Sequence, residues 1–233
     1  DFAKAHFNLA NVLRELKQFK SAETSYRTGL KLEPQQAKMH FHLGLTLHAQ
    51  KRFKDALKSF RKSLELGMAD VDLYLHLGSC YRALGDLEQA EQCCYKAQIT
   101  DPQYAGTYNH LGIILSAQGR LQEAETAYLK AIELDADYVA VYKNLGLLYT
   151  DTGKVKEAEA CCRKALSIET PSAETLNSMA AVLVNQGRYT EAETYCRQAL
   201  ALTTTISDVW NNLGSVLLAK MMLGEAREAF EKA

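Results

Sequence analysis

Three histidines, His42, His76 and His110, stand 34 residues apart, and six cysteines accompany them. Imidazole and thiolate are common zinc ligands, so a metal centre is the first chemistry to weigh. A metal needs its ligands to converge on one point. Residues repeated every 34 positions on packed helices instead form a column, spread by about 8–10 Å from one helix to the next. The cysteines argue the same way. The adjacent pairs Cys93-Cys94 and Cys161-Cys162 lack Cys-x-x-Cys spacing. Cys94, Cys162 and Cys196 take the slot held elsewhere by Tyr26, Phe60, Tyr128 and Phe230, where a thiol behaves as a small hydrophobe. Cys80 falls on the apolar side of its helix. The expectation is six buried thiols in a reducing, cytoplasmic setting, with no metal and no cofactor. The sequence contains no Gly-rich phosphate loop, no His-Glu-x-x-His and no Gly-x-Ser-x-Gly, so the segment is expected to be non-enzymatic.

The 34-residue spacing belongs to the whole chain, not to the histidines alone. Asn8-Leu9-Ala10 returns as His42-Leu43-Gly44, His76-Leu77-Gly78, His110-Leu111-Gly112, Asn144-Leu145-Gly146, Ser178-Met179-Ala180 and Asn212-Leu213-Gly214. An alanine recurs without variation as Ala22, Ala56, Ala90, Ala124, Ala158, Ala192 and Ala226. Such a period means an array of like supersecondary units, each leaning on its neighbours. In the copy from Ala105 to Tyr138, Tyr108, Leu111, Gly112 and Leu115 make one helical stripe. Leu121, Ala124, Tyr128, Ala131 and Ile132 make a second, so each unit reads as a helical hairpin. Gly119 ends the first helix in the left-handed conformation that glycine adopts freely. Lys17, Lys51 and Met221 replace that glycine in three copies, predicting strained or rearranged turns there. Gly112 and Ala124 mark a close helix crossing. Pro34 and Pro102 punctuate junctions between units, and Gln98 and Thr100 make the third junction the least apolar. The copies span 3–36, 37–70, 71–104, 105–138, 139–172, 173–206 and a truncated 207–233, within a single domain over 1–233.

Composition narrows the partners. The formal net charge is −1, without the basic excess that nucleic acid demands. No apolar run approaches the ~20 residues of a membrane helix, and no signal peptide precedes the first copy. A protein partner is expected, with neither nucleic acid nor membrane insertion. The array stops inside its last hairpin with no polar capping helix, so self-association through uncapped ends is expected too.

The aromatic-x-x-Leu-Gly-x-x-Tyr pattern followed by spaced alanines, clearest in Tyr74, Leu77, Gly78, Tyr81, Ala90 and Ala97, resembles the tetratricopeptide repeat. Trp210 matches its consensus tryptophan. The resemblance covers 3–233. It implies a right-handed α-solenoid superhelix whose first helices line a concave groove. The groove-facing places of each copy are the second, fifth, sixth, ninth, twelfth and thirteenth. The candidate peptide-binding residues on that basis are Asn8, Asn11, His42, His76, Asn109, His110, Lys143, Asn144, Asn177, Ser178, Asn211 and Asn212. His6 and His40 share a slot with Tyr74, Tyr108, Tyr142 and Trp210 and read as packing residues. Asparagine offers a donor and an acceptor together, which suits the backbone of an extended peptide. The array is most similar to that of the O-GlcNAc transferases, whose asparagine ladder Asn8, Asn144 and Asn212 match. That implies an alternative role as the substrate-recognition arm of a larger transferase. The carboxylate clamp of chaperone-binding members is missing, since Phe7, Asn11, His42, Asp72 and His76 fill its places. Lys4, Lys38, Arg14 and Arg82 predict that an acidic peptide end prefers the first three copies, reinforced below pH ~6.5 as the column histidines gain protons.

Overall fold

The computed structural model describes residues 2–233, and the protein is all-α. Fourteen helices follow one another among these residues. They are α1 (Phe2–Glu15), α2 (Phe19–Leu32), α3 (Ala37–Ala49), α4 (Phe53–Glu65), α5 (Val71–Ala83), α6 (Leu87–Thr100), α7 (Ala105–Ala117), α8 (Leu121–Leu134), α9 (Val139–Asp151), α10 (Val155–Ile168), α11 (Ala173–Asn185), α12 (Tyr189–Leu202), α13 (Ser207–Ala219) and α14 (Leu223–Glu231). Two compact units form, one ending at Arg120 and the other running from Leu121 to Ala233. In the first, each helix packs on the next, and α1, α3, α5 and α7 also touch in succession. The second repeats this plan, with α9, α11 and α13 in succession. Odd-numbered helices from α1 to α7, and again from α9 to α13, therefore make one continuous layer within each unit.

The recurrent alanines explain how the hairpins close. Ala22, Ala56, Ala90, Ala124, Ala158 and Ala192 are fully buried and Ala226 nearly so, because a larger side chain there would hold two crossing helices apart. The facing glycines are not equivalent. A Cβ on Gly44 would stand 2.5 Å from the Phe60 ring, and one on Gly214 2.7 Å from Phe230. On Gly146 it would meet Cys161 Cβ at 3.5 Å, an ordinary contact. Small side chains in the aromatic slot thus relax the demand for glycine. All six cysteines are buried and unpaired, and burial pushes Cys80 and Cys94 up to about 12 and Cys196 to about 11.

The turns inside the hairpins share one design. The residue two past each odd-numbered helix takes positive φ: Gly85, Gly119, Gly153 and Gly187, but also Lys17 (58°), Lys51 (60°) and Met221 (62°). The amide of the next residue then donates back five positions, as Asp86 to Tyr81 at 2.9 Å, Gln18 to Leu13 at 2.8 Å and Met222 to Leu217 at 2.9 Å. This closure is the Schellman type. Strain at the three non-glycine turns is as expected, but rearrangement does not occur: the same closing hydrogen bond forms there and offsets part of a left-handed penalty of about 1–2 kcal/mol.

A second recurrent device ties one hairpin to the next. Glu23, Glu91, Glu125, Glu159 and Glu193 each follow a buried alanine and accept from a cation at or near the next unit's turn. The pairs are Arg52 at 2.7 Å, Arg120 at 2.8 Å, Lys154 at 2.7 Å, Arg188 at 2.8 Å and Lys220 at 2.6 Å. Gln50, Gln118 and Gln186 donate to the same carboxylates as Arg52, Arg120 and Arg188. Glu159, gripped by Gln186, Arg188 and Arg163, is held down at about 2. The second hairpin has Leu57 in this place. Arg61 there crosses to the Tyr81 hydroxyl at 2.5 Å instead.

Candidate functional site

In each unit the layer of odd-numbered helices carries a stretch of the candidate column, and the two stretches differ in chemistry. In the unit ending at Arg120, His42 lies among aromatic rings, 5.3 Å from Phe7 edge-on and 6.3 Å from Tyr26 face-on. His76 stacks on Phe60 with centroids 5.6 Å apart and planes 12° from parallel. Phe41 meets it edge-on at 5.8 Å and His48 at 6.2 Å. His48 itself contacts Phe53 at 5.2 Å and the Ser79 hydroxyl at 3.2 Å. His110 Nδ1 lies 2.9 Å from the Gly106 carbonyl. A carbonyl only accepts, so Nδ1 carries the proton and Nε2 is left as an acceptor.

Burial governs the charge of these imidazoles. It pushes His76 down to about 4, and lowers His42, His48 and His110 as well, with Arg14, Lys38 and Arg82 adding repulsion at individual sites. The expected gain of positive charge just below pH 6.5 is therefore wrong: ring packing removes the water that would solvate an imidazolium. What the column offers is neutral imidazole, with His110 left only its Nε2 acceptor because Nδ1–H is held by the Gly106 carbonyl.

In the unit beginning at Leu121 the column is made of amides and charges. Asn212 Nδ2 donates to Asn177 Oδ1 at 2.9 Å, linking the fifth place of one copy to the sixth of the next. Lys143 pairs with Glu169 at 2.9 Å, and the Ser178 hydroxyl donates to the Glu174 carbonyl of its own helix at 3.0 Å. Asn144 is half-buried and Asn211 exposed. Asn8, in the other unit, is exposed as well.

Two candidates sit differently from expectation. Asn109 is buried, with 5% of its surface exposed. It shares the fifth place with buried Phe41 and Leu75, where α7 leans on its neighbours and no groove surface remains. Asn11 accepts the Tyr26 hydroxyl at 2.5 Å and so serves a fully buried tyrosine. The packing role expected of the His40 slot acquires a polar element. His40 Nε2, Tyr108 Oη, Tyr142 Oη and Trp210 Nε1 all reach a carbonyl six residues upstream at 3.0 Å. Each ring thereby locks the junction that precedes its helix. Beside the column in the first unit, Lys4, Phe7, Gln36 and Lys38 border a cavity of about 240 Å³.

A family model described as the cilia and flagella-associated protein 70 C-terminal domain matches residues 3–176, and a tetratricopeptide-repeat model matches 172–207. The chain belongs to the first of these families. No curated protein matches it significantly. Among solved structures it is similar to PilW, a widely conserved type IV pilus biogenesis factor, at 20% identity and TM-score 0.79 over 92% of this chain and 98% of that one. A thermophilic TPR protein of Thermus thermophilus matches at 25% identity and TM-score 0.67, over 78% and 99%. YrrB, described as a TPR protein with an unusual peptide-binding site, matches at 23% identity and TM-score 0.57, over 74% and 89%. These likenesses establish the helix-pair stacking of tetratricopeptide arrays, a fold that typically serves as a scaffold for protein interaction.

His48 is the residue that sequence reasoning passed over. It stands at the twelfth place of its copy, one of those expected to face the groove, and that place was the available signal. The five-carboxylate lattice was also missed. Its signal was a glutamate after the invariant alanine in five copies, with a cation 29 residues onward in four of them.

Proposed function

We propose that the chain is a non-enzymatic scaffold that holds an extended protein segment along its first helices, counting six 34-residue copies and a truncated seventh over 207–233. The observation that carries this reading is the chemistry of the sixth place. Asn8, His42, His76, His110, Asn144, Ser178 and Asn212 are short, uncharged polar groups at one spacing in the sequence. Within each unit such groups suit a peptide backbone and are indifferent to its side chains. Lys4 and Lys38 favour an acidic end over the first copies, without help from the histidines. The six unpaired thiols favour a reducing, cytoplasmic setting.

The test compares wild type with Asn8→Ala/Asn144→Ala/Asn211→Ala/Asn212→Ala on an array of unrelated extended peptides. Loss of signal across the array with unchanged melting supports backbone capture. Equal signals in the two proteins defeat it. A second reading, the substrate-recognition arm of an O-linked glycosyltransferase, is favoured by Asn8, Asn144 and Asn212 at the ladder place. Finding a nucleotide-sugar transferase domain on the same polypeptide would decide for it.

A further inference from the structure

Charge is distributed unevenly along this chain. The first 65 residues hold 13 lysines and arginines against six aspartates and glutamates, and the remainder 14 against 22. A net charge of −1 conceals this. The excess is concentrated on α2 and α4, which carry Lys20, Arg27, Lys31, Lys54, Lys58, Arg61 and Lys62 against Glu23, Asp55 and Glu65. Both are second helices of their hairpins, and neither contributes to the column.

Between these helices, with α3 beneath, lies a cavity of about 410 Å³. Leu30 and Leu43 form its apolar floor, and Arg27, Lys31, Lys58 and Lys62 stand at its rim. The cations come in two pairs, each four residues apart on one helix, so one pair flanks either side. Their own counter-ions leave charge to spare. Lys31 makes no ion pair among the described residues, and Lys58 has only Asp55 at 4.0 Å, an aspartate already held by Arg52 at 2.8 Å. Arg27 and Lys62 pair with Glu23 and Glu65 at 2.9 and 3.1 Å, but Glu23 is shared with Arg52.

We infer that this cavity is a second docking site, for an acidic peptide segment that places one aliphatic or aromatic side chain on the leucine floor and carboxylates against both rims. A floor of two leucines rewards burial of an apolar side chain at about 25 cal/mol per Å². Cations on two separate helices reward carboxylates on both sides of that anchor. The arrangement disfavours a lone phosphate, which requires donors converging on one point. It also differs in kind from the column, which reads backbone and carries neutral groups.

The test uses the full chain and a short fluorescein-labelled peptide in which one leucine is flanked on both sides by glutamates, followed by anisotropy. Two control peptides replace the glutamates by glutamine or the leucine by serine. The variant Lys31→Glu/Lys58→Glu/Lys62→Glu alters exposed or half-buried side chains, and circular dichroism verifies its fold. The parent peptide is expected to bind wild type about tenfold or more tightly than either control, an affinity that falls steeply with salt and is lost in the variant. Repeated in the column variant Asn8→Ala/Asn144→Ala/Asn211→Ala/Asn212→Ala, which removes backbone capture by the groove, the parent peptide should keep its preference over both controls, which separates this site from the groove. Equal binding of the glutamine peptide, equal binding by the charge-reversed variant, or binding only to phosphatidylserine vesicles and not to the peptide would each overturn the inference. So would loss of that preference in the column variant.

Discussion

The two compact units share one backbone plan and hold it with different side chains. In the unit ending at Arg120 the odd-numbered helices are cemented by Phe7, Phe41, Phe60, His42, His48 and His76. Its carboxylate lattice is broken at Leu57. In the unit from Leu121 the histidines are gone, an asparagine pair and Lys143–Glu169 replace them, and Glu125, Glu159 and Glu193 run without a gap. The lesson is that a repeat fixes its backbone through small residues and turns, and leaves the inter-repeat cement free to vary.

The largest way to sharpen that contrast is pH. All six histidines lie at or before His110, so imidazole titration touches one unit alone. The folded-state value of His76, about 4, lies below the ordinary 6.5 of an unfolded chain. Between those values the unfolded state binds the proton and the folded state does not, so stability falls as the solution is acidified from 6.5 towards 4. The loss from His76 is roughly 3 kcal/mol at 1.36 kcal/mol per unit, with His42, His48 and His110 adding in the same direction. Hydrogen exchange read by mass spectrometry at pH 7 and 4.5 should show α1 to α5 opening before α9 to α13. Uniform loss of protection would break the contrast. Glu159, held near 2, contributes stability that is lost only as pH falls from about 4.5 towards 2.

Next in size is the glycine at the helix crossing. Gly44→Ala drives a Cβ into the Phe60 ring and should cost about 2 kcal/mol, within the usual range for overpacking. Gly146→Ala meets only an ordinary contact and should gain about 0.5–1 kcal/mol from helix propensity. Opposite signs in thermal melts are the expected result, and equal signs would refute the account of the aromatic slot. Glu159→Ala should then lower stability by about 1 kcal/mol, moderated because Arg188 remains in contact with water. Its effect should appear as faster exchange at the α10–α11 junction. The smallest effect is at the turns. Lys51→Gly relieves a left-handed lysine and should add about 1 kcal/mol or less, with no change in the exchange pattern elsewhere.

The helices, their pairing and the buried alanines were legible because periodicity of apolar residues is a local property repeated many times. Turn strain at Lys17, Lys51 and Met221 was legible for the same reason. The column was legible only as positions. Which face of α7 holds Asn109 depends on neighbouring helices, and burial of His76 depends on Phe60 from another helix, so neither charge state nor exposure could be read from one strip of sequence. The Glu159–Arg188 link spans 29 residues, outside any window of helical period. The rim of Arg27, Lys31, Lys58 and Lys62 was hidden by a net charge near zero.

The hairpin turn has a consequence beyond its energy. Any deviation in a stacked array is inherited by every unit that follows, so small angular errors compound. Because the back-bond from the residue after the turn is kept at 2.8–3.0 Å whether the turn holds glycine, lysine or methionine, a substitution there is absorbed as a local energetic cost and leaves no directional error to pass on. Each turn thus works as a tolerance stop for its own closure, accepting glycine, lysine or methionine at the one place that varies.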